Sequence, residues 1–360
     1  MASGATSATN ELRPVSGALG APPAYIAGPA YDWLCFILAP LLAIAFVFAA
    51  SRFAWALGVT TASGHERTRL ELFAAVWTYG HLFAVVFRSH FNRAIFARFP
   101  LRFTLVPLAV YAAFALSNFA LVAGFVLIAV WDVYHSSMQN FGLARIYDAK
   151  AGNDPAAHRQ LDVWLNHVIY IGPILAGASL LPTLEGLQAF QALGLDGPPR
   201  FYRWLASHHD AIRNLVLLGG SAYAVYYADS LLRHVKQGYR VPVPKLALYA
   251  SVAAGSIFAW GFLPPLEAFM VSNLFHGLQY FGIVWWTERA NVARTLHAPS
   301  TKGGAAIAFA FFALLIAAAG AFHESVGPGS WRWLIPIPMV ISLMHFWYDG
   351  FVWSVRRGEV

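Results

Sequence analysis

An all-α, polytopic transmembrane helix bundle is the architecture this chain predicts, and three observations carry the prediction. Of its 360 residues, 58% are hydrophobic and only 11% are charged. The mean hydropathy is +0.55. Apolar stretches long enough to cross a hydrocarbon layer of about 30 Å recur along the chain, separated by short connectors that hold most of the Lys and Arg. The net charge of +7 and isoelectric point near 9.6 therefore fit the arrangement that orients membrane helices. No nucleic-acid partner is expected.

Residues 1–30 are rich in Ala, Gly, Pro, Ser and Thr and lack a basic segment followed by a continuous apolar run. That composition predicts a disordered tail and no cleavable signal. A transmembrane domain is expected over 31–354, with ten spans at roughly 31–57, 70–88, 103–118, 119–144, 162–182, 211–232, 246–263, 266–287, 304–322 and 332–354, followed by a cytoplasmic tail at 355–360. The division between the third and fourth spans rests on Ser117 and Asn118 alone. Pro264-Pro265 separates the seventh from the eighth. The one sizeable extracytoplasmic loop falls near 183–210, where a short lid or surface helix is expected and His208-His209-Asp210 reads as solvated. Cys35 is the single cysteine, which excludes an intramolecular disulfide and any thiolate metal cluster from this chain alone.

The basic residues orient these spans. Seven of the 24 Lys and Arg, namely Arg52, Arg67, Arg69, Arg200, Arg203, Arg213 and Arg332, fall on one side, and the other seventeen on the opposite side. This bias places both termini in the cytoplasm and predicts a bacterial inner-membrane location.

Three histidines inside apolar segments each have a polar residue one helical turn later: His135 with Gln139, His276 with Gln279, and His345 with Asp349. Spacings of three and four place both members on one helix face. Asp132 extends the first stripe by a turn and could ligate directly or accept the His135 Nδ1 proton. Counted to the next basic boundary, His81, His135, His276 and His345 precede Arg88, Arg145, Arg289 and Arg356 by 7, 10, 13 and 11 residues. At 1.5 Å per residue, all four imidazoles lie roughly 10–20 Å below the cytoplasmic edge, in one layer. Buried polar groups in a membrane are costly, and neutral imidazole suits iron, copper or zinc.

The reading is a metal-dependent membrane oxidoreductase of oxygenase, desaturase or hydroxylase type, with iron as the metal and an acyl or isoprenoid chain as the lipophilic substrate. His135, His276, His345 and His81 are the expected metal ligands. Gln139, Gln279, Asp349 and Asp132 are expected as additional ligands or as groups that orient the imidazoles. Membrane lipid and an electron donor are the expected partners. Two other readings stay open: haem held by two of the histidines as axial ligands in an electron carrier, and a proton-coupled transporter. The echo between His135-x-x-x-Gln-Asn-Phe-Gly and His276-x-x-Gln-Tyr-Phe-Gly favours the transporter, because it could reflect a parallel duplication. No Walker loop, nucleophile elbow, CxxC or HExxH occurs, which disfavours nucleotide hydrolysis.

Many spans with histidines near one membrane face resemble the histidine-rich membrane oxygenases, in particular the Brp/Blh carotene-cleaving dioxygenases and the membrane fatty-acid desaturases and hydroxylases. The Brp/Blh resemblance covers intramembrane histidines and hydrophobic length. The desaturase pattern departs at its motifs, since its HxxxH boxes meet Gln139 and Asp349 here and no HxxHH occurs. HSSMQNFG and HFWYDGFVW are also similar to segments of uncharacterised multi-pass bacterial proteins. The resemblance implies a helical membrane fold with iron on histidines.

Overall fold

The structure, a computed structural model, describes residues 25–53, 57–60, 66–154, 156–326 and 332–353. The tail expected over 1–30 lies outside the described residues up to residue 24, and the tail expected at 355–360 lies wholly outside them. The first described turn is fixed by the Asp32 carboxylate, which accepts the backbone N–H groups of Ile26 (2.6 Å) and Ala27 (2.9 Å). Helix α1 (Pro29–Asp32), a π-helical turn at Trp33–Ile37 and α2 (Ala39–Ala50) follow. A short antiparallel hairpin, β1 (Gly58–Thr60) with β2 (Glu66–Thr68), is a feature the helical periodicity did not predict.

Thereafter the described chain is helical: α3 (Arg69–Ser89), α4 (Arg93–Arg98), α5 (Pro100–Leu116), α6 (Asn118–Lys150), α7 (Arg159–Ala176), α8 (Leu180–Leu184), a 3₁₀ segment (Glu185–Leu193), α9 (Gly197–Lys236), α10 (Val243–Phe262), α11 (Pro265–Thr295), α12 (Lys302–Ser325) and α13 (Pro336–Val352). Polar caps set several starts. Thr68 and Glu71 form a reciprocal capping box on α3. The Ser117 hydroxyl accepts the Ala120 N–H (3.2 Å), so the break between α5 and α6 falls where Ser117 and Asn118 predict it. Pro264 and Pro265 separate α10 from α11, also as expected.

The fold is all-α apart from the hairpin, but the count of ten spans is not met. Among the described residues five helices, α3, α6, α9, α10 and α12, are long and apolar enough to cross a membrane by length and composition. Two bent pairs raise the number to seven: the π-turn with α2, bent by 57°, and α7 with the segment after it, bent by 80°. Helices α5 and α13 have only 17 residues each. Helix α11 uses Asn273, His276 and Gln279 on the interior and is buried on every side from Met270 to Gly277, so it lacks the apolarity of a lipid-facing span. The segment near 183–210, where a short lid or surface helix is expected, is helical. Helix α8, the 3₁₀ segment and the first turns of α9 occupy it, which places His208 and His209 on a helix.

Helix α11 packs against α2, α3, α10 and α12, while α13 packs against α3, α5 and α6. A side chain at Gly277 would collide with the Trp77 ring, so this glycine lets α3 and α11 approach closely just where each carries a histidine. On another flank, a four-membered ion cluster joins α6, α7 and α10. Arg145 meets Asp148 (2.6 Å) and Asp162 (2.8 Å), and the Lys245 ammonium meets the same two carboxylates (2.8 and 2.7 Å). All four residues are buried, and two cations balance two carboxylates.

Candidate metal centre

Helices α3, α6, α11 and α13 each bring one histidine to a common point: His81, His135, His276 and His345, all buried. Four of the ring pairs are in contact. Centroids lie 4.9 Å apart for His81 and His276, 5.3 Å for His276 and His135, 4.7 Å for His135 and His345, and 5.2 Å for His345 and His81. The four imidazoles thus form a closed ring of neighbours. With metal–nitrogen bonds of about 2.1 Å, adjacent imidazole centres around one ion lie about 4.6 Å apart at right angles and about 5.3 Å apart in a tetrahedron. The observed separations span that interval. They also fall within the range of edge-to-face ring packing, so hydrogen bonding must discriminate.

His345 Nδ1 lies 3.0 Å from the Leu82 carbonyl oxygen, an acceptor, so this nitrogen carries the proton. Its Nε2 is then a lone pair facing His135 Nε2 at 3.0 Å. Both nitrogens of His276 are buried with no hydrogen-bond partner. Those of His81 likewise reach no hydrogen-bonding geometry, although the Thr78 carbonyl one turn back lies beside the ring. Unpartnered buried polar atoms of this kind cost about 1–3 kcal/mol each, a cost that a bound cation would remove.

Asp349 completes the arrangement from α13. Its Oδ1 accepts the Tyr280 hydroxyl and the Trp353 indole N–H, each at 2.9 Å. Its Oδ2 lies 3.8 Å from the Nε2 atoms of both His135 and His345. Two donor groups result, His81 with His276 and His345, and His135 with His345 and Asp349, each with ligand atoms within 4.8 Å of one another. The second group is a two-histidine, one-carboxylate set, the ligand type of non-haem iron oxygenases.

The remaining sequence-predicted residues sit differently. Gln139 donates to the His276 carbonyl (3.0 Å) and to Gln279 Oε1 (3.3 Å), while Gln279 donates to the Phe36 carbonyl (3.0 Å). These amides tie α6 to α11 and α11 to the π-turn, so the two echoed segments pack on each other. Asp132, partly buried one turn before His135, belongs to neither donor group. The Arg88–Glu288 ion pair (2.6 Å), with Arg88 stacked over Trp353, went unnoticed in the sequence because its partners are 200 residues apart.

A cavity of about 780 Å³ reaches this centre at His135 and Asp349. Trp131, Tyr134, Phe346, Trp347 and Trp353 form an aromatic wall, and Arg145 and Arg159 also line it. Tyr134 is 50% exposed, so the cavity opens at the helix surface. No known family model, curated protein or solved structure matches this chain.

Proposed function

We propose that the chain is an integral membrane oxidoreductase holding one iron(II) ion and acting on a lipophilic chain. The observation that carries the reading is the convergence of four buried imidazoles and one carboxylate from four helices on a point bordered by an aromatic cavity. Because Leu82 takes His345 Nδ1, His345 has one nitrogen left, and that nitrogen serves one ion. The two donor groups are therefore two faces of a single mononuclear site. His81, His135, His276 and His345 hold the ion, and Asp349 lies at the cavity side. Iron bound there would supply activation of O2.

Hydroxylation places one oxygen atom in a C–H bond and reduces the other to water. Desaturation removes two hydrogens and reduces O2 to two waters. Each takes two electrons and two protons from an external donor. The chain's own contribution is positional: Tyr280 and Trp353 fix Asp349 Oδ1 and leave Oδ2 aimed at the imidazoles, and the aromatic wall excludes water from the reacting carbon. Cytoplasmic termini and a bacterial inner-membrane location belong to this reading. The Brp/Blh and desaturase resemblances agree with it in metal and substrate character. Haem fits less well, since a porphyrin between two of these imidazoles would lie in the space filled by the other two.

The test is metal analysis of the purified protein expressed with iron supplied. About one equivalent of iron is expected, given that the site is complete without further ligands. Less than about a tenth of an equivalent of any transition metal would sink the proposal.

A further inference from the structure

The cavity is built for a molecule with two unlike ends. One part of the lining groups His135 and Asp349 with aromatic rings; another holds Arg145 and Arg159; along α6, Met138, Phe141 and Leu143 lie between them. The two arginines are not equal. Arg145 is shared between Asp148 and Asp162, inside a cluster whose two cations and two carboxylates cancel. Arg159, at the start of α7, is exposed, lies over the Phe141 ring at 5.6 Å and makes no ion pair among the described residues. Among the described residues the cavity therefore holds one arginine without an ion-pair partner.

The length is set by α6. His135 and Phe141, the ring beneath the Arg159 guanidinium, are six residues apart on this helix, a rise of about 9 Å. That is about a third of the hydrocarbon thickness of a bilayer, within the reach of one acyl chain. We infer that the cavity binds an acyl amphiphile with an anionic headgroup, the headgroup at Arg159 and the distal half of the chain at His135 and Asp349. The fate of the distal half rests on the oxidation reading above. The binding site itself does not.

The experiment uses the full-length protein in phosphatidylcholine nanodiscs, with oleate and methyl oleate competing against a fluorescent polyene fatty acid. Oleate should bind about three- to tenfold more tightly than its uncharged ester, the scale of one partly screened ion pair. High salt should shrink that preference. Arg159→Gln should abolish it, while Arg200→Gln, an exposed charge elsewhere, should leave it intact. Phosphatidylglycerol in the nanodisc is the second arm. Competition as strong as that of oleate assigns the headgroup to membrane lipid, and weaker competition assigns it to a free acid; either supports the inference.

Equal binding of oleate and methyl oleate to the wild type, or an unchanged preference in Arg159→Gln, overturns it. The same measurement on the His276→Ala protein, with metal content determined in parallel, keeps the two readings separate. A preserved oleate preference in a wild type without metal would end the oxidation chemistry and leave the binding site standing.

Discussion

His276 and Gln279 lie one turn apart on α11, yet the structure gives them different work. The imidazole of His276 has both nitrogens buried without a partner, whereas the amide of Gln279 bridges Gln139 and the Phe36 carbonyl. His276→Ala should therefore strip the metal while leaving the metal-free protein about as stable as before, since an unpartnered polar group costs about 1–3 kcal/mol to keep buried. Gln279→Ala should do the reverse, retaining metal and losing about 1–3 kcal/mol of stability by orphaning a carbonyl. Metal content and thermal melting of the detergent-solubilised variants separate these outcomes. Loss of folded protein for both would make them packing residues only. The sequence alone made His135, His276 and His345 legible through polar partners at helical spacing. His81 lacked such a partner, its neighbours Trp77 and Tyr79 looking like ordinary packing, and only its depth relative to Arg88 pointed to the centre. Conversely, Gln139 and Gln279 shared the spacing of ligands while serving as ties between helices, a distinction that depends on what faces them across 140 residues.

Local chemistry told most about where elements end. Ser117, Thr68 and Pro264-Pro265 mark helix boundaries that are readable because caps and prolines act within three or four residues. The ion cluster between α6, α7 and α10 was not readable. Arg145 reads as a boundary charge, and its pairing with Asp162 beside Lys245 depends on three helices meeting. Once formed, the cluster is a clasp whose members need one another. Asp162→Asn should leave two buried cations sharing Asp148 alone, and removing one partner of a buried ion network costs about 3–5 kcal/mol. The measurement is the melting temperature or the fraction of monodisperse protein after extraction. An unchanged melting temperature would mean that water reaches the cluster. Helix α11 makes the opposite point about pattern reading: buried on all sides from Met270 to Gly277, it shows an apolar run interrupted by polar residues that face the interior.

Across the whole molecule, connectors meet one another in two groups. Asn153 donates to the Arg240 carbonyl at 2.7 Å, joining the segment after α6 to the one after α9. Arg88 pairs with Glu288, joining α3 to α11, and Arg102 stacks on Phe351, joining α5 to α13. Away from these, Arg67 of the hairpin pairs with Glu324 at the end of α12 (3.2 Å). Reporter fusions at residues 95 and 240 should score cytoplasmic and one at 195 extracytoplasmic. The reverse pattern would overturn both the orientation and the depth argument that drew the histidines together. The helical class and the segment positions were legible from apolar length. The number of true crossings was not, because 17-residue helices and an α11 enclosed through its middle do not declare themselves by hydropathy.

The mouth of the cavity bears on traffic as well as chemistry. Among the described residues His81, His276 and His345 do not line the cavity, so an ion seated among them would reach its mouth past His135 and Asp349. The corridor that admits the amphiphile is then also the corridor by which iron is loaded and lost. An occupied corridor should act as a stopper: a water-soluble chelator should strip iron slowly, and more slowly still when oleate is present. Stripping at one rate with and without oleate would mean that the ion leaves by another path. In the cell, such a shared corridor would couple metal retention to lipid supply, holding the cofactor longest when there is substrate to work on.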